Sequence, residues 1–537
     1  MSASLAYATL SQENPSFKPS RIQQLSDLYV GGYQILENAG EYIHQLQSEH
    51  PVRYKERLKS TAFVGYMAQI VDSLTGGTFS DPLQVSHVEG TPEPDFWEDF
   101  GENADLRGAS VEDVCRQALT DALIYGRTFI ACDFPTLDGI VTTRAEEDAS
   151  GASRAYVVPV EPAQLIDWEY SEKFTKRLDV GDGHVDIELG ELDLAVIRRT
   201  EMRRGSPAAS RGIVRETFKV WEMDPSGFAK WSLYAIEYKQ DRPPSPKDLV
   251  PLVEEGLTSF QRIPLVELAL PVGLWVGNKI GPMNLEHWQR RGLLNSSENR
   301  GLLSIPVCKL GPEISEPMSA LPSDVQSDPN RGETLASQLG RRGYVVIGAG
   351  DDIYFAEPTG AAHEGAATRL DKLVDEMFRV THLMASSVSS TANAVGRSGA
   401  SKAEDRNATV LVWKTLGAIV RDFAVRMYHT ISQARGDAVE FGASGCSNFD
   451  LYDRAEVVDE AKSISSVGIN SETFRKEYEK QVAQRLLPDM APSVKADVIA
   501  EIDASEAPLP VEQAQAMRDT IPAPPDHQEE PSAPKAN

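Results

Sequence analysis

The sequence predicts a helix-rich α+β fold with a long helix–loop–helix at its centre, on three observations. Between His363 and Arg435, two stretches of helical periodicity flank a serine- and glycine-rich segment. The middle of the chain, roughly 156–270, reads as short apolar strands separated by turn sequences. The N-terminal quarter carries helical periodicity with recognisable start and stop signals.

Taken in order, residues 1–19 read as a flexible arm. From Ser20, Ile22, Leu25, Leu28, Tyr29, Tyr33 and Leu36 predict a helix, and Tyr54 to Leu74 predicts a second that stops at Gly76-Gly77. Ser110, with Asp113 three residues on, approximates a capping box and starts a third helix that runs to Tyr125-Gly126. The chain then enters a strand, Arg127 to Asp133. Further strands are expected at Tyr156–Val160, Leu194–Arg198 and Ile263–Leu270. Ile213–Met223 and Phe228–Tyr238 flank Asp224-Pro225-Ser226-Gly227 and form a hairpin. Residues 179–193 hold six carboxylates and His184 without the ordered ligand spacing of a calcium loop, so a solvated hairpin or loop is the favoured reading.

Asn284 to Leu303 is a helix with a partly polar side. A Pro- and Gly-rich section, 306–360, follows, with short strands at Tyr344–Ile347 and Ile353–Phe355. In the next helix Leu370, Leu373, Val374, Met377, Phe378, Thr381 and Met384 share one face. The segment 386–402 breaks the pattern. A second long helix begins near Ala403 and ends at Arg435-Gly436, a basic last turn with a glycine cap. A short strand near Ala438–Phe441 and three smaller helices (454–466, 471–487, 492–503) complete the order. The stretch from Ser505, with seven prolines, reads as disordered.

A chain of 537 residues buries a sizeable core in more than one domain. No run of 18 apolar residues suggests a membrane span, and the N-terminus has neither the basic start nor the apolar core of a signal peptide. Cys115, Cys132, Cys308 and Cys446 are far apart, fit no metal spacing and suit a reducing compartment. The net charge of −27 argues against sequence-independent wrapping of DNA, although an acidic wall suits a protein that lets DNA slide past. There is no GxxxxGK[ST] loop, no HExxH and no GxSxG elbow. His287, His382 and His429 lie within predicted helices and read as packing or surface residues. The expectation is a non-enzyme without cofactor, metal or catalytic residues.

Several stretches, in order, resemble the tailed-bacteriophage portal proteins, the head-to-tail connector family. They are Ala122 to Pro135 (helix into strand), Glu161 to Trp168, Ile263 to Val266, Asn284 to Leu303 with Ser296-Ser297-Glu298-Asn299, Ser398 to Lys402, and Val467 to Thr473. The resemblance implies a ring, usually of twelve subunits, at one capsid vertex of a virion assembled in the bacterial cytoplasm. It implies a wing (20–280 and 404–448), a stem (281–303 and 361–386), a clip (304–360), a tunnel loop (387–403) and a crown (449–504). Its implied partners are double-stranded DNA, a terminase large subunit, a head–tail adaptor, and major capsid and scaffolding proteins, with no membrane. Arg397, Ser398, Ser401 and Lys402 are then the expected DNA-contact residues, touching backbone without sequence preference; Glu404 and Asp405 are alternative partners for the two bases. The rival reading is a non-catalytic helical scaffold or adaptor with no DNA channel.

Overall fold

A computed structural model describes residues 4–47, 49–87, 94–135, 154–180, 183–204, 211–301, 305–309, 352–356, 361–381, 399–437, 439–447 and 449, plus short pieces between 474 and 504. At 204, 211, 297, 299–301, 305–309, 352–356, 361–362 and 399–406 the backbone alone is described. Contacts divide the chain into units 1–449 and 450–537, and the sheets and long helices belong to the first. The fold is α+β, as expected.

In chain order the elements are β1 (Ser4–Ala6), α1 (Tyr7–Leu10), α2 (Pro19–Val30), α3 (Gly32–Glu37), α4 (Ala39–Tyr42), α5 (Pro51–Ser60), α6 (Tyr66–Thr78), β2 (Gln84–His87), α7 (Pro94–Glu102) and α8 (Val111–Tyr125). Then come β3 (Arg127–Asp133), β4 (Tyr156–Val160), β5 (Leu165–Asp179), β6 (His184–Arg204), β7 (Arg211–Met223), β8 (Ala229–Lys239), β9 (Leu249–Leu257) and β10 (Leu265–Ala269). They are followed by α9 (Val276–Gly301), β11 (Ile305–Lys309), β12 (Asp352–Ala356), α10 (Ala361–Val380), α11 (Gly399–Arg435) and β13 (Phe441–Ser444). An antiparallel six-stranded sheet has the order β1-β9-β8-β7-β6-β5. A three-stranded sheet has the order β10-β3-β4, and β11–β12 and β13–β2 are ribbons.

Local signals held where the chain settles its own hydrogen bonds. Ser110 and Asp113 form a reciprocal capping box, α8 ends on Gly126 in the left-handed region, and β3 starts at the next residue. The β7–β8 turn closes through the Gly227 N–H on the Asp224 carbonyl and through the Asp224 carboxylate, which accepts from Ser226. The acidic stretch 179–193 lies on the β5–β6 hairpin, where Asp179 pairs with His184 and Arg177 bonds Asp186 at 3.0 Å.

Four expectations change. Residues 4–17 are not a free arm. β1 pairs with β9, while Leu10 and Phe17 are buried with Ile166, Val196, Phe218, Tyr234 and Val250 on one face of the six-stranded sheet. The helix from Ser20 breaks at Gly31, whose φ of 61° is open to glycine and strained for other residues. The helix from Tyr54 is two helices, because the backbone between Thr61 and Val64 bonds to side chains of α9 instead of continuing the ladder. The strand at Leu194–Arg198 is part of a 21-residue strand. Tyr344–Ile347 lies outside the described residues, as does nearly all of the implied clip, the crown helices and the tail from Ser505.

α11 runs through the core. Leu416, Ile419, Val420, Phe423, Ala424, Met427 and Ile431 are all inaccessible and recur at helical spacing. They pack with α6 (Met67, Ile70, Val71, Leu74) and α8 (Cys115, Leu119, Ala122, Leu123) in one continuous apolar cluster. At Gly77 a Cβ would stand 2.1 Å from the Trp413 ring, so α6 meets α11 at a distance that only glycine permits.

Candidate nucleic-acid interface

α10 presents a solvent-facing wall. Its twenty residues are about 30 Å long. Leu370, Val374, Met377 and Phe378 are buried, and Glu364, Thr368, Arg369, Asp371, Lys372, Glu376 and Arg379 are exposed. The helix carries four carboxylates (Glu364, Asp371, Asp375, Glu376) against three bases (Arg369, Lys372, Arg379), with Arg379 and Glu376 paired at 3.5 Å. This face is nearly charge-balanced.

Behind α10 stands α9, which starts eight residues earlier than Asn284 and keeps Pro282 within it. The polar residues of α9 turn out to be its attachments. Asn284 bonds the α5–α6 connection and Gln289 donates to the Tyr42 carbonyl at 2.7 Å, while Arg290 and Glu286 pair along the exposed side of α9 itself. His287 is buried edge-on to Tyr66, ring centroids 4.9 Å apart. Burial, with Arg291 nearby, lowers its imidazole to about 4, so it is neutral at physiological pH.

Of the four expected contact residues, Ser401 and Lys402 lie in the first turn of α11, which begins at Gly399 rather than near Ala403. Arg397 and Ser398 lie outside the described residues. The body of α11 is held by a charged network. Asp422 meets Lys176 of β5 at 2.5 Å and Arg426 at 2.8 Å, and Arg426 donates to the Glu267 carbonyl at 2.8 Å. The Glu267 carboxylate is itself buried. It accepts from Tyr170 at 3.1 Å and pairs with Arg127 at 3.2 Å. Burial raises its carboxyl, against the pull of Arg127 and Tyr170. A lone glutamate inside the apolar run Leu265-Val266-Glu267-Leu268-Ala269 was the sequence signal for this network. At the far end Arg435 pairs with Asp437 at 2.8 Å, and its guanidinium lies 3.6 Å from the centroid of the Phe96 ring.

Among the described residues no group of three or more His, Cys, Asp or Glu side chains gathers as metal ligands would. Cys115, Cys132 and Cys446 are buried free thiols, and burial pushes Cys446 up to about 12 and raises the other two as well. No described helix is long and apolar enough to cross a membrane.

No protein-family model and no curated protein matches the chain. Among solved structures it is similar to a chain in the neck of an empty GTA particle computed with C6 symmetry, at 12% identity and a TM-score of 0.36, covering 82% of this chain and 96% of that one. A chain in the neck of the native particle, computed with C12 symmetry, is similar at 11% identity and a TM-score of 0.35, covering 84% of this chain and 98% of that one. A third, from the virion of a native gene transfer agent, has 10% identity and a TM-score of 0.33, covering 81% and 95%. Scores at this level leave the functional reading to the chain's own residues.

Proposed function

We propose that this chain is a portal-type subunit. It forms a ring of about twelve copies at a capsid vertex, through which a terminase motor packages double-stranded DNA, which later leaves by the same route and past which a head–tail adaptor attaches. The observation that carries the reading is the exposed face of α10, a helix about 30 Å long with near-equal numbers of acids and bases. Duplex over that length bears on the order of 18 phosphates. A basic wall facing them would hold the duplex, and a strongly acidic one would resist its entry. A balanced wall does neither, which suits passage better than retention. The net charge of −27 points the same way, because it opposes lasting attachment to phosphate. The sequence resemblance, from Ala122 to Thr473 in family order, supplies the rest of the assignment, including the capsid and scaffolding partners. In this reading Arg397, Ser398, Ser401 and Lys402 touch the DNA backbone where α10 gives way to α11.

Native mass spectrometry with negative-stain imaging of the purified chain tests it. Rings with a central hole near twelve times 58.9 kDa are the expected result. A chain that stays monomeric even with its capsid and scaffolding proteins present would overturn the ring and favour a scaffold without a channel.

A further inference from the structure

The chain is acidic overall, but one of its stretches is strongly basic. Between Arg198 and Arg215 it carries six arginines, no lysine and one carboxylate. The structure places the two described arms of this stretch, 198–204 and 211–215, at the far end of the β6–β7 ribbon. Arg203 lies in register with Ile213 and Lys239, and Glu201 with Arg215 and Glu237. Residues in register share a sheet face. Arg199, Arg203, Arg215 and Lys239 therefore stand together with Glu201 and Glu237, four bases against two acids. Arg199, Arg203 and Lys239 are exposed, and Arg203 is paired along its own strand, to Glu201 at 3.0 Å.

The opposite pattern occurs on α7. Trp97 and Phe100 are buried, while Asp95, Glu98, Asp99 and Glu102 are all exposed. Their i, i+3, i+4, i+7 spacing puts four carboxylates on one helical face. The two surfaces lie at opposite ends of β6. Trp97 stacks on Tyr428 of α11, less than two helical turns from Asp422, which holds Lys176. Lys176 is in register with Ile187, sixteen residues from Arg203, on the order of 50 Å along the strand.

We propose that the arginine-rich end of β6–β7 docks on the acidic face of α7 in a second copy of this chain. This rests on the ring reading and names the contact that would close it. Copies carrying −27 each repel one another, so their association calls for a local contact of opposite sign. Two different, complementary patches at opposite ends of one molecule make a head-to-tail contact, the kind that generates rings. Arginine suits it, because its planar fork gives one carboxylate two parallel hydrogen bonds. A simpler role for the charges is to keep the edge of β6 from pairing, since beyond Arg198 that strand has no β5 partner. Edge protection works with charge of either sign, so it survives reversal to glutamate. The docking contact does not.

The test compares wild type, Arg203→Glu/Arg215→Glu, Glu98→Arg/Glu102→Arg and the four-fold combination, by native mass spectrometry and sedimentation near 0.15 M salt. Far-UV circular dichroism checks that each is folded. Each one-sided reversal should raise the concentration needed for assembly at least about tenfold, and the combination should return it to within about threefold of wild type. Rings that form equally well with either reversal would overturn the docking contact and leave the ring reading standing. Absence of rings in wild type even with its capsid and scaffolding proteins present would overturn both. Normal assembly with lost binding of a fluorescent DNA duplex would assign the arginines to nucleic acid instead. If a reversal misfolds, Arg203→Cys and Glu102→Cys chains serve in its place. A disulfide that forms only when the two are mixed supports the contact, and none under oxidising conditions overturns it.

Discussion

Asn284, inaccessible within α9, accepts the backbone N–H of Met67 at 2.9 Å and returns a donor to the Val64 carbonyl at 2.9 Å. One amide thus starts α6 from another helix, 217 residues along the chain. Asn284→Leu leaves a backbone donor and a backbone acceptor without their partner in a buried site. It should lower stability by about 2–5 kcal/mol, read as a shift in the urea midpoint at constant slope. A loss under about 1 kcal/mol would mean that the connection between α5 and α6 closes without α9.

That bond also shows what sequence reading reaches. The Ser110–Asp113 box, the step from Gly126 to Arg127, the strand Tyr156–Val160 and the turn at Asp224–Gly227 were legible, because each is settled by neighbours a few residues apart. The break after Ser60 was not, since the periodicity of Leu58, Phe63 and Met67 runs on and the groups that interrupt it sit on α9. β9 was missed because Pro251 and the pair Glu254-Glu255 blur its alternation, and β1 because it exists only by pairing with β9. At the candidate interface the apolar stripe of α10 was readable and so was the end of α11 at Gly436, whose φ is 75°. α11 starts four residues before its sequence pattern does, because Gly399, Ser401 and Lys402 are residue types that also favour loops.

The N-terminal segment should behave as part of the sheet. Tyr7 donates to the buried Glu216 carboxylate at 2.9 Å, and Leu10 and Phe17 fill the cluster around Phe218 and Tyr234. Phe17→Ala should cost about 3–4 kcal/mol and Tyr7→Phe about 1–2 kcal/mol. Hydrogen exchange should slow at Tyr7 and Ala8, whose N–H groups donate to the Asp248 and Pro246 carbonyls, and Phe17→Ala should release it there first. Fast exchange of those amides in the wild type would return the segment to a loose arm.

Stability against pH should tilt in opposite directions at two groups, the half-buried Asp121 and the buried His287. Burial raises the Asp121 carboxyl to about 6, from 3.8. Between those values the folded chain binds the extra proton, so stability falls as pH rises from about 4 to 6, by about 2–3 kcal/mol. His287, held down near 4, works the other way: the unfolded chain takes up its proton first, so stability is lost as pH falls from about 6.5 to 4. Asp121→Asn should gain stability at pH 8 and converge with wild type near pH 4. His287→Phe should flatten the acid side of the profile. Guanidinium titrations at half-unit pH steps separate the two, and parallel profiles for all three proteins would refute both assignments.

Arg397 and Lys402 carry the proposed DNA contact between the balanced face of α10 and the start of α11. Two positive charges per subunit, repeated around a ring, would make a basic collar on an otherwise neutral passage. Such a collar brakes duplex DNA without binding it along its length. Arg397→Glu combined with Lys402→Glu should leave ring mass and thermal stability within error of wild type, because Lys402 lies in an N-terminal helix turn, where a carboxylate is favoured. In particles assembled with this variant, the length of retained DNA should fall, and the loss should deepen at low salt, where repulsion from the new carboxylates is least screened. Packaged length equal to wild type at both salt concentrations would remove these residues from the passage and place the contact elsewhere on the ring.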